Sequence, residues 1–361
     1  MIERRSSTPI MVGDVMVGGN APISVQSMTK TDTRDIEATV EQISQMARAG
    51  CQIVRAAVPD MEAAAALAAI RARAPVPLVA DIHFDYRLAI AAIEAGVDGL
   101  RLNPGNISRR EHLEKVVSSA RERRIPIRIG VNAGSLPADY RAGESVPQRM
   151  AALAEEQVRV LESMDFGLIK VSLKAFDVLT TVEAHEIIAE RIPYPLHLGI
   201  TEAGPPATGT VRSALGIGIL LHMGIGDTIR VSLSGDPLLE VDAGREILRA
   251  LGLMQAGPSI VSCPTCGRAM LDVVEIAGRL SQHLRSTDLP LRVAVMGCTV
   301  NGPGECKMAD VGIAGGLGKA ALYRGGAFLR AVPAEQAFAA LTQEISMLIA
   351  SGSSHEGTDK G

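Results

Sequence analysis

LVADIHFDYRLAIAAIEAGVDGLRLN, residues 78–103, contains one complete unit of the pattern that decides the fold. Short apolar runs at residues 78–83 and 99–103 predict two strands. The segment between them predicts a helix, and Gly96 can end that helix in a left-handed conformation. A strand, a helix and a second strand in this order are typical of a parallel βαβ unit.

The same unit recurs along the first two-thirds of the chain. Further strands are predicted at residues 23–27, 53–58, 127–132, 168–174, 196–201 and 228–234. Apolar residues at helical spacing lie between them, for example at residues 36–49, 61–72 and 211–223, and Gly50 and Gly224 end two of these helices. Eight strand–helix pairs in about 250 residues predict an α/β protein with a TIM (β/α)8 barrel. A doubly wound sheet is the alternative, because the number of strands alone does not close a barrel.

The composition limits the class of protein. Of the 361 residues, 47% are hydrophobic but only 2% are aromatic, so we expect an aliphatic core. This length predicts one large and one small domain. The net charge of −4 does not indicate binding to nucleic acid or to a membrane. No apolar run resembles a membrane span or a signal peptide, which predicts a cytoplasmic protein whose cysteines are ligands rather than disulfides.

Polar side chains recur on one face of the predicted strands, because residues two apart on a strand point the same way. The groups that share a face are Asp81 with His83, Arg101 with Asn103, Arg128 with Asn132, Lys170 with Ser172 and Lys174, and Arg230 with Ser232. Any one of these cations could be a surface group or part of a core ion pair. In a barrel, however, they would meet at the mouth formed by the carboxyl ends of the strands.

Five cations are therefore predicted at this mouth: Arg55, Arg101, Arg128, Lys174 and Arg230. The acids predicted nearby are Asp81 and Glu202. Burying such an excess of positive charge is costly without an anionic partner, and arginine binds phosphate oxygens in pairs. The site is thus predicted to bind a diphosphate. The chain has no phosphate-loop motif and no convincing dinucleotide fingerprint, which argues against nucleotide hydrolysis and nicotinamide chemistry.

Four of the five cysteines lie in the last third of the chain. Cys263-Pro-Thr-Cys266 follows a short β-branched run and precedes a helix predicted at residues 268–284. Cys298 follows a strand predicted at residues 291–296 and opens a glycine-rich run that ends at Glu305 and Cys306. This set favours an iron–sulfur cluster. A structural zinc site would need a second C-x-x-C motif, and a thioredoxin-like dithiol would leave Cys298 unexplained.

After the cysteines, the sequence predicts a strand at residues 310–314, a hairpin of residues 321–324 and 327–332 around Gly325-Gly326, and a helix at residues 333–350. The predicted domains are therefore a substrate-binding barrel at residues 1–252 and a cluster domain at residues 258–350. The polar residues 351–361 are predicted to be disordered.

Three stretches carry a resemblance to a known family. They are Pro22-Ile-Ser-Val-Gln-Ser-Met-Thr29, Cys263-Pro-Thr-Cys266 and Gly297-Cys298-Thr-Val-Asn-Gly-Pro-Gly-Glu305. In these motifs the chain resembles the 4-hydroxy-3-methylbut-2-enyl diphosphate synthases, iron–sulfur enzymes of the methylerythritol phosphate route to isoprenoids. The resemblance extends over nearly the whole chain, apart from the final polar segment.

The resemblance implies a [4Fe–4S] cluster held by Cys263, Cys266, Cys298 and Glu305. Chemistry alone would prefer Cys306 to Glu305 as the fourth ligand, and only the resemblance selects the glutamate, which would be a displaceable and hence catalytic ligand. It also implies that Glu202 moves protons at a departing hydroxyl. The predicted substrate contacts are Arg55, Arg101, Asn103, Arg128, Asn132, Lys174, His197, Arg230, Ser232 and Asn301.

The substrate implied by the resemblance is 2-C-methyl-D-erythritol 2,4-cyclodiphosphate, with electrons supplied by flavodoxin or ferredoxin. A homodimer in which each cluster domain completes the partner's barrel is also implied, and the short linker at residues 252–258 favours it. Two alternative functions remain at this point. One is a non-catalytic iron–sulfur sensor that binds a phosphorylated effector, and the other is a thiol–disulfide oxidoreductase.

Overall fold

The computed structural model describes residues 2–107, 109–254, 257–285, 287 and 289–351. The described residues up to Met254 form one compact unit, and those that follow form a second. The segment predicted to be disordered, residues 351–361, lies outside the described residues apart from Ser351. Among the helices that are described, none is both long enough and apolar enough to span a bilayer.

The first unit begins with an antiparallel hairpin that the sequence analysis did not predict. Its strands are β1 (Ile10–Val12) and β2 (Val15–Val17). Ile10, Val12 and Val17 are buried against Ile53 and Val79, which lie in the amino-terminal halves of two barrel strands. The hairpin therefore closes the end of the barrel opposite the mouth.

Eight parallel strands form the barrel. They are β3 (Ser24–Met28), β4 (Ile53–Ala57), β5 (Leu78–Asp81), β6 (Gly99–Arg101), β7 (Ile127–Asn132), β8 (Ile169–Lys174), β9 (His197–Leu198) and β10 (Thr228–Ile229). Consecutive strands pair from β3 to β8, and β10 lies between β3 and β9. A parallel bridge between Val171 and Leu196 closes the sheet. The prediction of a TIM barrel is confirmed, and the doubly wound alternative is wrong.

A helix follows each barrel strand. The helices are α1 (Ile36–Arg48), α2 (Met61–Arg73), α3 (Tyr86–Glu94), α4 (Arg110–Glu122), α5 (Val146–Glu162), α6 (Val178–Ala189), α7 (Pro206–His222) and α8 (Pro237–Ala250). Asp35, Asp60, Asp85 and Asp177 cap four of them by accepting a backbone N–H of the first turn. These caps fix where each helix begins beside the mouth.

The second unit is a five-stranded mixed sheet with three helices. Its strands, in spatial order, are β11 (Ser259–Ser262), β12 (Arg292–Met296), β13 (Val311–Gly316), β14 (Lys319–Arg324) and β15 (Ala327–Pro333). The first three run parallel, and the last two pair antiparallel around the predicted Gly325-Gly326 turn. The helices are α9 (Val273–His283), α10 (Gly302–Lys307) and α11 (Ala337–Ser351).

One local prediction in this unit is wrong, and one element was not predicted. The helix expected from residue 268 begins only at Val273, because Asp272 caps it by accepting the N–H of Glu275 at 2.9 Å. Part of the glycine-rich run, for which no element was predicted, folds into the short helix α10. Gly302 permits this, because a Cβ there would lie 2.6 Å from the Cβ of Ala314 on β13.

Candidate active site

Cationic side chains converge inside the mouth of the barrel. Arg101, Arg128 and Lys174 are all less than a tenth exposed. Burial and, to a smaller extent, the charges of Arg230 and Arg101 lower the pKa of Arg55 to about 10 against the opposing effect of Asp81. The pKa values of Arg128 and Lys174 are also well below their usual range, first because of burial and then because of neighbouring cations. The five predicted cations thus lie close enough to repel one another.

Asp81 anchors one side of this group. Its carboxylate oxygens lie 3.5 Å from Arg55 Nε and 3.4 Å from Arg101 Nη1. The ring of His83, a half-exposed residue, lies 3.7 Å from the same carboxylate. Burial alone would raise the pKa of Asp81, but Arg55, His83 and Arg101 outweigh it and hold the pKa well below its usual range. Asp81 therefore stays ionised and orients two arginines.

Glycine at position 130 leaves room for a polar layer between β6, β7 and β8. A Cβ at Gly130 would lie 3.2 Å from Arg101 Nε and 3.3 Å from Arg128 Nη1. In the space that remains, Arg128 Nη1 donates to Ser172 Oγ at 2.5 Å. Asn103 accepts from Gly130 N at 2.8 Å and donates to Gly130 O at 2.7 Å. Asn103 thus ties the end of β6 to β7, with its carbonyl and one amide hydrogen already engaged.

Lys174, His197 and Thr228 form a buried chain. Lys174 Nζ lies 3.3 Å from His197 Nε2, and His197 Nδ1 lies 2.7 Å from Thr228 Oγ1. Burial and the charge of Lys174 hold the pKa of His197 far below its usual range, so the imidazole is neutral. A neutral imidazole has one donor nitrogen and one acceptor nitrogen. Nε2 is therefore the acceptor for Lys174, and Nδ1–H donates to Thr228.

Glu202, Asn132 and Ser232 lie at the outer edge of the mouth. Glu202 is exposed on the loop after β9, and its φ of +52° is in the left-handed region that non-glycine residues rarely adopt. Asn132 and Ser232 are half-buried. Within the part of the chain that the structure describes, these three side chains form no hydrogen bond.

The second unit places two of the cysteines at one edge of its sheet. Cys263 directly follows β11, Cys298 comes two residues after β12, and these strands are parallel neighbours. Cys263 N donates to Val295 O at 3.0 Å, which continues the pairing beyond β11. Because the carboxyl ends of parallel strands meet at the same edge, both thiols belong to that edge. The exposed Cys266 follows in a turn where Thr265 has a φ of +63°.

Cys298 is set in surroundings that favour its thiolate. The backbone N–H of Val300 lowers the pKa of the thiol most, with further contributions from the N–H of Asn301 and from Arg268. Asn301 itself is exposed, and its carbonyl accepts from Glu305 N at 3.1 Å. The carboxylate of Glu305, in α10, lies 4.0 Å from the guanidinium of Arg292. In the described ranges, no three His, Cys, Asp or Glu residues are gathered closely enough to hold a metal ion.

The surroundings of Cys306 have the opposite effect on its thiol. It is fully buried, and burial raises the pKa of its thiol to about 12. Its Sγ packs so closely on β13 that a Cβ at Gly312 would lie 2.6 Å away. The same small core includes Ala309 and Tyr323. Cys306 is therefore a packing residue of the face between α10 and the sheet.

Both units of the chain match models of known protein-family domains. Residues 7–245 match the GcpE TIM-barrel domain, and residues 259–347 match the GcpE protein C-terminal domain. The chain belongs to the GcpE family. Its relatives include "4-hydroxy-3-methylbut-2-en-1-yl diphosphate synthase (flavodoxin)" of Dehalococcoides mccartyi strain CBDB1, which is 60% identical over 96% of this chain and 100% of the relative.

Other relatives of the same name are 55% identical in Geobacter sulfurreducens, over 94% of this chain and 97% of the relative, and 49% identical in Clostridium perfringens, over 96% and 99%. None of these three is named as a sensor or a thiol–disulfide oxidoreductase. The barrel also resembles the dihydropteroate synthase of Yersinia pestis, with a TM-score of 0.51 and 12% identity over 68% of this chain and 100% of that one. That likeness concerns the fold alone.

Two features of this GcpE-family site were missed by the sequence analysis. Glu240, in the first turn of α8, lies 3.4 Å from Arg230, whereas only Asp81 and Glu202 had been expected as acids near the mouth. The second feature is Gly199, where any side chain would collide with Lys174, because a Cβ there would lie 2.6 Å from Lys174 Nζ. An acid in a first helical turn usually signals only favourable interaction with the helix dipole, so the sequence carried no distinctive signal for Glu240.

Proposed function

We infer that the protein converts 2-C-methyl-D-erythritol 2,4-cyclodiphosphate to 4-hydroxy-3-methylbut-2-enyl diphosphate. The observation that carries this inference is identity of 49–60% over nearly the full length to relatives named as the synthase of that product. The reaction opens the cyclic diphosphate, removes one hydroxyl as water and consumes two electrons. The excess of buried cations in the barrel supplies the affinity for the diphosphate.

The cations of the mouth bind and orient the substrate. Arg55, Arg101, Arg128, Lys174 and Arg230 are close together and lack enough acid to balance them, so a diphosphate would remove their mutual repulsion. His197 holds Lys174 from below the mouth. Asn132, Ser232 and Asn301 have polar side chains that are not fully buried and can contribute further contacts. Asn103 contributes mainly by fixing the backbone at Gly130.

Glu202 is the proposed acid and base of the reaction. Its carboxyl would give a proton to the departing hydroxyl, which leaves as water, and would take up a proton from solvent afterwards. The exposure of Glu202 on a loop beside the mouth suits exchange with solvent. Its left-handed backbone conformation is of the kind that is retained at functional sites.

Cys263, Cys266, Cys298 and Glu305 are the proposed ligands of a [4Fe–4S] cluster. Two of these donors suit such a cluster, because Cys263 and Cys298 lie at one edge of the sheet and N–H groups stabilise the thiolate of Cys298. When bound, such a cluster supplies single electrons and a Lewis-acidic iron. Glu305 would be the most displaceable of these four ligands, because carboxylate binds iron less strongly than thiolate. The packing of Cys306 against Gly312 supports leaving it out of the proposed ligand set.

The relatives' names point to flavodoxin as the electron donor, and ferredoxin is the alternative. We propose residues 1–252 as the substrate-binding domain and residues 258–350 as the cluster domain. We further propose a cytoplasmic homodimer, in which the barrel of one chain and the cluster domain of the other form each active site.

The assay that tests this function is turnover of the cyclodiphosphate by anaerobically purified, iron-replete protein with reduced flavodoxin. We expect one hydroxymethylbutenyl diphosphate for every two electrons consumed. Glu202→Gln should retain iron and diphosphate binding but lose most turnover. An iron-replete parent protein that binds the cyclodiphosphate but never converts it would contradict the proposal.

A further inference from the structure

Glu240 accepts an unusually complete set of hydrogen bonds at the mouth of the barrel. Its side chain is only 1% exposed. The carboxylate oxygens accept from Ser27 Oγ at 2.9 Å and Leu233 N at 3.0 Å, and they lie 3.2 Å from Lys30 Nζ and 3.4 Å from Arg230 Nη2. A carboxylate has about four acceptor positions, so all of them are occupied here.

The four donors come from both sides of one seam in the barrel. Two belong to β3 and the loop after it, and two belong to the segment after β10. The hydrogen-bonded ladder between these strands ends at the pair Val25 and Ile229, so the sheet does not hold the mouth end of the seam. Lys30 Nζ also donates to the carbonyls of Leu233, at 2.8 Å, and Gly235. Side chains therefore join the two segments where the ladder has stopped.

Arg230 is held at one end of its guanidinium only. Nη2 contacts Glu240, while the buried Nε has no hydrogen-bond partner in the described part of the chain. The side chain is 15% exposed. A guanidinium fixed through one nitrogen keeps its other N–H groups for a ligand, and those groups match phosphate oxygens in pairs.

We propose that Glu240 is a positioning residue for recognition of the substrate's diphosphate. It sets the guanidinium of Arg230, and together with Lys30 it fixes the segment at residues 232–235 that carries Ser232. Glu240 has no free acceptor position for a ligand, and it acts through these neighbours. The inference rests on the proposed function, because it requires that Arg230 binds the diphosphate.

The test uses the anaerobic holoenzyme with inorganic diphosphate as the probe in calorimetry. Glu240→Gln keeps the shape of the side chain but places an amide beside two cations. We expect the Kd for inorganic diphosphate to rise by about tenfold, and the KM for the cyclodiphosphate to rise similarly. The value of kcat should change by less than about threefold, because the Arg230 contact exists in both ground and transition states.

The matched control is Glu344→Gln in the second unit. Glu344 is 2% exposed and lies 3.5 Å from Arg324 and 3.0 Å from Arg330, so it is also a buried acid shared by two cations. We expect Glu344→Gln to leave diphosphate binding and KM unchanged. A loss of binding in this control equal to that in Glu240→Gln would overturn the specific role of Glu240.

A double-mutant cycle separates this inference from the proposed function. Arg230→Ala should weaken diphosphate binding, and adding Glu240→Gln to Arg230→Ala should raise the Kd by less than the same substitution does in the parent. If Arg230→Ala binds as the parent does, both the assigned role of Arg230 and the positioning role fail. If Arg230→Ala weakens binding while Glu240→Gln has no effect, or if the two losses multiply, only the positioning role fails.

A second variant covers the case in which Glu240→Gln does not fold. Lys30 is about one-third exposed, so Lys30→Met should fold, and it removes the contacts that fix residues 232–235. We expect a several-fold higher Kd for inorganic diphosphate, and a smaller increase when Lys30→Met is made in the Arg230→Ala background. Parent-like binding by Lys30→Met, or losses that multiply, would overturn the positioning role.

Discussion

Cys298 and Cys306 are close in sequence, yet their surroundings give the two thiols opposite character. N–H groups of Val300 and Asn301 lower the pKa of Cys298, whereas burial raises the pKa of Cys306 to about 12. Cys298→Ser should therefore lose the cluster, while Cys306→Ser should keep iron and sulfide near the parent content. Iron and sulfide analysis with visible absorption measures both. A colourless Cys306→Ser, together with a Glu305→Ala variant that keeps all its iron, would reverse the assignment of the ligands.

Lys170, inside the barrel on β8, should make stability depend on pH. It is 3% exposed, and its Nζ has no hydrogen-bond partner within the described residues. Burial lowers its pKa to about 7, and Arg128 contributes to the shift. An unfolded lysine titrates near pH 10.4, so between about pH 7 and pH 10 the unfolded chain binds the extra proton and stability increases as pH rises.

Lys170→Met removes this dependence. The variant should melt at a higher temperature than the parent at pH 7, and its advantage should shrink as the pH approaches 10. Thermal unfolding of the anaerobic protein across this range provides the measurement. Lys319→Met, at an exposed position on β14, is the control and should show no such trend. A constant difference between parent and Lys170→Met would refute the prediction.

The positions of single side chains could be predicted from the sequence where the strand determines which way the side chain points. Arg101 and Arg128 face the mouth because residues two apart share a face. The same rule predicted that Asn103 contacts the substrate. Its side-chain amide forms hydrogen bonds with the backbone of Gly130, which the rule could not reveal. Glu240 escaped prediction because its partners lie on β3 and after β10, and only closure of the barrel brings those segments together.

At the scale of the elements, the cations at the strand ends should act together on the diphosphate. Arg101→Ala or Lys174→Ala should weaken binding of inorganic diphosphate by about 2–5 kcal/mol, the usual loss when one partner of a desolvated charge pair is removed. Calorimetry measures this, and Arg73→Ala on the outer helix α2 is the control, because its side chain is 46% exposed and pairs with Glu37. Unchanged affinity in both mouth variants would refute the diphosphate site.

The starts of the barrel strands were predicted more closely than their ends. The runs at residues 196–201 and 228–234 were predicted as full strands, but the ladders of β9 and β10 contain only two residues each. Just after β9, Gly199 packs closely on the segment after β10, because a Cβ there would lie 2.4 Å from Arg230 O. Apolar periodicity reports burial, and it does not report where the regular ladder of a strand ends.

At the scale of the whole molecule, a short linker follows α8, the last helix of the first unit. This helix begins after β10 beside the mouth, and its 14 residues end at Ala250, on the opposite side of the barrel. Such a helix is about 20 Å long, and the linker at residues 252–258 can span at most about 25 Å when fully extended. We propose a site shared between two chains, and a linker this short is compatible with that arrangement.

The shared site predicts complementation between two inactive chains. A Glu202→Gln chain has a defective barrel and an intact cluster domain, and a Cys298→Ser chain has the reverse. When subunits exchange, one of the two sites in each mixed dimer combines the intact barrel with the intact cluster domain, so turnover should reappear and rise with the fraction of mixed dimers. Cys263→Ser mixed with Cys298→Ser is the control, because both defects fall in the same domain and every site remains defective. Turnover that stays at background while mass spectrometry detects mixed dimers would mean that each chain completes its own site, and it would overturn the proposed shared site.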